Sequence, residues 1–218
     1  MNLKNHLTLV VAIFIMALGI AFSVKANLGT SPISCVPYVL SLGLPLTIGE
    51  FTIIFNAFLL FLQFAILRRD FEYIQLLQII VCVIFGYFID FQLFVISSLN
   101  PTDYIQQWIY VLLGCIILGL GICIEVKCDS IILPGDGLLN TICKVSGRDF
   151  GRIKPLFDLS MVISAVIISF LLFGTLVGVR EGTVFAALVL GFIIQFYDKI
   201  FGEKLNKFLN RWTIKNNI

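Results

Sequence analysis

Val24-Lys25-Ala26-Asn27-Leu28-Gly29-Thr30-Ser31-Pro32 and Val126-Lys127-Cys128-Asp129-Ser130-Ile131-Ile132-Leu133-Pro134 are one passage written twice, 102 residues apart. Outside it, Leu18-Gly19-Ile20 recurs as Leu120-Gly121-Ile122. Gly49 recurs as Gly151, Phe55 as Phe157 and Asn56 as Asp158, without a gap. Each copy leaves an apolar run at a lysine, crosses a Gly/Pro/polar segment and re-enters apolar sequence. In a membrane protein such a duplication points to a site shared between two halves.

The surrounding composition puts the chain in a bilayer. Of 218 residues, 59% are hydrophobic and 13% charged, and mean hydropathy is +1.03. Soluble domains carry about 25% charged residues. Apolar runs near 7–24, 51–67, 76–99, 104–126, 156–179 and 184–201 approach the roughly 20 residues that a spanning helix takes. The first run is longer than a signal-peptide core of about 7–15 residues and reads as a retained span. The fold class is therefore all-α, with six transmembrane helices.

Charge sets the expected topology. With the N-terminus inside, the regions facing inward hold Lys4, Arg68, Arg69, Lys127, Lys144, Arg148, Arg152, Lys154, Lys199, Lys204, Lys207, Arg211 and Lys215. Only Lys25 and Arg180 fall outside them, so positive-inside bias selects cytoplasmic termini. Residues 1–103 form one repeat, residues 104–201 a second, and residues 202–218 a basic tail lying along the anionic leaflet with Trp212. Three spans per repeat is odd, so the repeats are expected to be inverted. The stretches near 31–44 and 134–146 are too short to cross and are expected as broken or re-entrant helices.

Three segments carry candidate chemistry. In the first, Ser31-Pro32 reads as a helix start whose free N–H groups, with Lys25, Asn27, Thr30 and Ser34, suit an anion or carboxylate. The second adds Lys127, Asp129 and Asp136, giving negative charge that suits a cation or ammonium. The third is Arg180-Glu181-Gly182-Thr183, expected at membrane depth because the run from Val184 to Tyr197 is only 14 residues long. Its Arg180, Glu181 and Thr183 are candidate substrate partners. Asn56 and Asp158 begin the second helix of each repeat and are candidates for the same cavity. Asp90 is the one charge in the third span and, with Glu181, a candidate coupling carboxylate. Gln63 reads as a helix–helix hydrogen bond.

Other chemistry is excluded. The six cysteines form no CxxC pair, and the one histidine, His6, is terminal. No metal site or cofactor is expected. GxGxxG, P-loop, HExxH and GxSxG motifs are absent, so the chain does not read as an enzyme. Nor is a nucleic-acid partner expected.

VKANLGTSPISCVP at 24–37, LTIGEF at 46–51, LLQ before FGYFID at 85–90, LPGDG at 133–137, FGRIKPLFD at 150–158 and VREGT at 179–183 resemble the YczE/YitT-type bacterial integral membrane proteins. The resemblance implies a multi-pass protein of the bacterial plasma membrane and supplies no substrate or catalytic residue. It also implies an acidic residue between glycines in the second loop, which Asp136 provides. No counterpart of the soluble tail domain of some YitT-like proteins is expected.

The function expected from these residues is a small secondary transporter or exporter. Its solute, anionic or zwitterionic, is expected near the midplane between the repeats. Two rivals stand beside it: a channel, and a substrate-binding or accessory subunit of a larger membrane complex. Faces bearing Gly114, Gly119 and Gly121 allow close packing within a chain or in a homo-oligomer.

Overall fold

The structure, a computed structural model, describes residues 3–128, 131–148 and 150–215. Among these residues the secondary structure is helical throughout. The order is α1 (Leu3–Lys25), α2 (Pro32–Gly43), α3 (Ile48–Leu67), α4 (Gln78–Val95), α5 (Tyr104–Lys127), α6 (Pro134–Ser146), α7 (Phe150–Phe173) and α8 (Glu181–Lys215). Two 3-10 turns, Arg68–Asp70 and Tyr73–Leu77, link α3 to α4.

Local chemistry sets the helix boundaries. Pro32 and Pro134 stand at the first helical position of the two short helices, where a missing N–H costs nothing. The turn before α2 uses Asn27 at φ 55° and Gly29 at φ 95°. Residue 29 could not carry a side chain, since a Cβ there would overlap the Thr183 hydroxyl. Thr47 and Glu50 form a reciprocal capping box on α3. Gly147, at φ 65°, ends α6.

The duplication extends to the elements. Lys25 and Lys127 end α1 and α5, Pro32 and Pro134 begin α2 and α6, and Ile48 and Phe150 begin α3 and α7. Each of these pairs is 102 residues apart.

Six segments are long and apolar enough to cross a membrane: Asn5–Lys25, Ile48–Leu67, Tyr73–Val95, Tyr104–Lys127, Arg152–Phe173 and Glu181–Glu203. Their outward faces carry Leu7, Val11, Phe61, Phe94, Leu171 and Phe192, all more than half exposed. Water would disfavour such a girdle, whereas a bilayer accommodates it.

The centre is the α1–α5 pair. A Cβ on Gly19 would lie 2.8 Å from the Gly114 carbonyl oxygen, and one on Gly121 would lie 2.9 Å from Met16 N. Gly114 in turn faces Ser23. Contacts advance along α1 as they retreat along α5, so the two helices run antiparallel with their backbones touching. Small residues permit that approach, and packing plus hydrogen bonding holds helices together in lipid.

Each short helix packs mainly against a long helix of the other half. Cys35 and Val39 of α2 cluster with Ala165 of α7, and Gly43 lies beside Phe173. In α6, Gly135 approaches Leu59, and Gly137 approaches Gln63 of α3. Both pairs advance in the same direction, so α2 is parallel to α7 and α6 is parallel to α3. The starts of α2 and α6 meet where Ile33 packs on Gly135.

α8 continues without a break through Lys215, so residues 202–215 extend the last helix. The side chains of residues 206–218, Trp212 included, lie outside the described residues.

Candidate functional site

The two proline-led helix starts frame a cavity of about 50 Å³. Its walls come from both halves in matched positions: Met16 with Leu118, Ile20 with Ile122, Ser31 with Leu133, Ser34 with Asp136, Thr52 with Lys154, and Asn56 with Asp158. Every pair is 102 residues apart. Phe85 of α4 and Leu190 of α8 also line it, as do Pro32, Ile33, Pro37 and Phe157. The same register that repeats in the sequence therefore meets itself around one small space.

The matched positions differ in chemistry. The first half contributes hydroxyls and an amide. Ser31 Oγ donates to Ser34 Oγ at 3.0 Å, and Asn56 Nδ2 donates to the Thr52 carbonyl at 2.9 Å. The second half contributes charge. Lys154 Nζ lies 3.2 Å from Asp158 across one turn of α7. Asp136 stands in the first turn of α6, where the helix dipole favours a carboxylate. One ammonium against two carboxylates leaves the lining with a deficit of positive charge, offset by the partial charges of two helix starts.

The space holds roughly one or two waters, each needing about 30 Å³ of liquid volume. A larger solute enters only with movement of the surrounding helices.

Of the residues that sequence reasoning selected, Ser31, Ser34, Asn56, Asp136 and Asp158 line this cavity. Lys154 and Thr52 also line it and were missed. The charge pattern marks Lys154 only as inward-facing positive charge; the signal for its place here is its position four residues before Asp158.

The other selected residues lie elsewhere. Lys25 Nζ donates to the Ser97 carbonyl at 2.9 Å, and Lys127 pairs with Asp198 at 2.6 Å. Each lysine thus ties the end of its helix to the last long helix of its own half, or the turn after it. Arg180 donates to the Asn27 carbonyl at 2.9 Å and lies 3.4 Å from Glu181. These charges are partly exposed. The 23-residue span Glu181–Glu203 continues past Asp198, so they need not sit at membrane depth. Gly182 N donates to the Leu28 carbonyl at 2.9 Å, fastening the start of α8 to the α1–α2 link. Thr30 and Thr183 are buried nearby.

Asp90 accepts from Thr47 Oγ1 at 2.6 Å and from Gly49 N at 2.9 Å. Both carboxylate oxygens hold the start of α3. Asp129 lies outside the described residues.

Glu125 was missed. It is 2% exposed, and its Oε1 accepts from Leu133 N at 2.7 Å. That bond draws the returning chain to the start of α6. Its other oxygen has no partner among the described residues. A lone carboxylate inside the 104–127 apolar run was the available signal.

Among the described residues no cluster of His, Cys, Asp and Glu could hold a metal ion. All six cysteines are free, and all but Cys143 are buried. Burial, with Glu125 nearby, pushes the Cys128 thiol up to about 12, which makes it a packing residue.

Comparisons with known proteins match the chain over most of its length. "Uncharacterized protein YyaS" of Bacillus subtilis (strain 168) is 27% identical over 191 residues, covering 87% of this chain and 90% of the relative. "Uncharacterized membrane protein YczE" of the same organism is 25% identical over 185 residues, covering 84% and 80%. No solved structure matches the chain. The model of the "Family of unknown function (DUF6198)" matches residues 3–199. The chain is therefore a member of the DUF6198 family, a YczE-type membrane protein.

Proposed function

We propose that the protein is a small secondary transporter built from two three-span repeats of opposite orientation, with a solute site between them. The observation that carries this reading is the cavity lined by residue pairs 102 apart at the meeting point of two half-length helices. Antiparallel packing of α1 on α5 supports the inversion. So does the exchange of the short helices, α2 onto α7 and α6 onto α3. In this arrangement α2 and α6 are re-entrant, both starting near the midplane and leaving toward opposite surfaces. Both termini face the cytoplasm.

The lining favours a zwitterion. The hydroxyls of Ser31 and Ser34 at the start of α2, together with Lys154, suit a carboxylate or similar anionic group. Asp136 and Asp158 suit an ammonium. Arg180, outside the cavity, is an approach residue in this reading, and Asp90 supports α3. The small enclosed volume favours a carrier over an open channel, because access depends on one repeat moving against the other.

Exchange in proteoliposomes tests the function. Vesicles are preloaded with a mixture of small zwitterionic amino acids and given trace amounts of the same compounds in radiolabelled form. Saturable counterflow that Asp158→Asn abolishes is expected. Uptake no greater than in protein-free vesicles, across the whole mixture, counts against a zwitterion carrier.

A further inference from the structure

A second and larger cavity, about 360 Å³, opens between the end of α3, the α3–α4 link and α6. Its inner wall is made of amides. Gln63 is 2% exposed and Gln78 is 5% exposed, and both flank Gly137. Gln63 Nε2 donates to Gln75 Oε1 at 3.2 Å. The Oε1 atoms of Gln63 and Gln78 have no partner among the described residues. A buried carbonyl oxygen without a donor costs about 1–3 kcal/mol, so two of them at one cavity wall call for a donor from outside. Asp70 and Glu72 at the rim supply two negative charges against one from Lys144.

The fold does not require this lining. The positions 102 residues from Gln63, Gly137 and Thr141 are Ala165, Cys35 and Val39. These pack together in an apolar cluster. One half of the molecule is sealed with hydrocarbon where the other is hollow and polar.

We propose that this vestibule binds a primary ammonium group, its N–H donors directed at the Gln63 and Gln78 oxygens and its charge matched by Asp70 and Glu72. The group arrives on a small solute or on an aminophospholipid headgroup. The proposal is independent of the carrier reading, because equilibrium binding here requires no transport.

Ligand-observed NMR on purified full-length protein in phosphatidylcholine nanodiscs tests it. The probe is protonated ethanolamine. Choline is the control, with the same charge and no N–H donor. Ethanolamine is expected to bind and choline to bind at least about tenfold more weakly, the scale of a lost charged hydrogen bond. Gln63→Leu and Gln78→Leu are each expected to weaken ethanolamine by about tenfold. Glu72→Gln, at an exposed rim position that leaves packing untouched, is expected to weaken it by about threefold. Repeating the titration in nanodiscs containing phosphatidylethanolamine separates the sources. Competition by the lipid identifies the headgroup as occupant, and unchanged ethanolamine binding identifies a free solute; both support the site. Equal binding of choline and ethanolamine overturns the proposal, as does ethanolamine binding unaffected by all three substitutions. Equilibrium binding of ethanolamine and counterflow in proteoliposomes are separate measurements, so failure here and failure of transport are read separately.

Discussion

Lys154 and Asp158 are bonded across one turn of α7, 3.2 Å from nitrogen to oxygen, at the two positions where α3 carries Thr52 and Asn56. The second half holds an ion pair where the first holds a neutral hydrogen bond. Removing one partner of a buried pair strands a charge. Lys154→Thr alone is therefore expected to destabilise by about 3 kcal/mol. The double variant Lys154→Thr/Asp158→Asn copies the other half, and thermal denaturation of purified protein should show more than half of that loss recovered. A double variant as unstable as the sum of its parts would contradict the matched-wall account.

Asp90 is expected to act as a cap. Its oxygens take Thr47 Oγ1 and Gly49 N, so Asp90→Ala frees the first turn of α3 and costs about 1–2 kcal/mol. Hydrogen exchange should rise in residues 47–51 and stay level in α7. If Asp90→Ala leaves both stability and exchange unchanged, the cap assignment fails.

Glu125 positions the start of α6. Glu125→Gln keeps an acceptor for Leu133 N, whereas Glu125→Leu orphans that buried donor at a cost of about 1–3 kcal/mol. Faster exchange at residues 133–137 is expected for the leucine variant only. Equal effects of the two variants would make Glu125 a charge site.

Glycine substitutions separate packed faces from open ones. A Cβ on Gly114 meets Ser23 and the Gly19 carbonyl, while one on Gly191 meets nothing within 4 Å. Gly114→Ala is expected to cost about 1–3 kcal/mol. Gly191→Ala should be neutral or stabilising by up to about 1 kcal/mol. Thermal melts compare them directly.

Thiol reactivity offers a simple check on burial. With the Cys128 thiol pushed up to about 12, roughly one molecule in ten thousand carries the thiolate at pH 8. Maleimide should leave Cys128 unmodified in the native protein at that pH and label it after detergent unfolding. Rapid native labelling would place the α5–α6 link in water.

The spans and the two short helices were legible because each rests on a local signal: an uncharged run of sufficient length, or a proline at a helix start. The cavity was legible in part. The 102-residue register brings Ser34 and Asp136, and Asn56 and Asp158, to one place. The partners of Lys25, Lys127 and Arg180 were not legible, because a lysine at a helix end carries no mark of which distant carbonyl or carboxylate it meets. Asp90 shows the same limit. An acid inside an apolar run signals a buried demand for hydrogen bonds, and only the three-dimensional contact shows that the demand comes from the start of a neighbouring helix. The amide vestibule was hidden because Gln63 and Gln78 lie on separate elements and become one wall only when α6 crosses between them.

The central claim is that the two halves run in opposite directions through the bilayer. Leu46 and Arg148 are repeat-equivalent, exposed, and located in the α2–α3 and α6–α7 turns. Single cysteines are placed at these positions in a background without native cysteines, and cells are treated with a membrane-impermeant maleimide. Leu46→Cys should react in intact cells, and Arg148→Cys only after the membrane is opened. Reaction of both from the same side would mean that the halves are threaded alike, contradicting the shared midplane site.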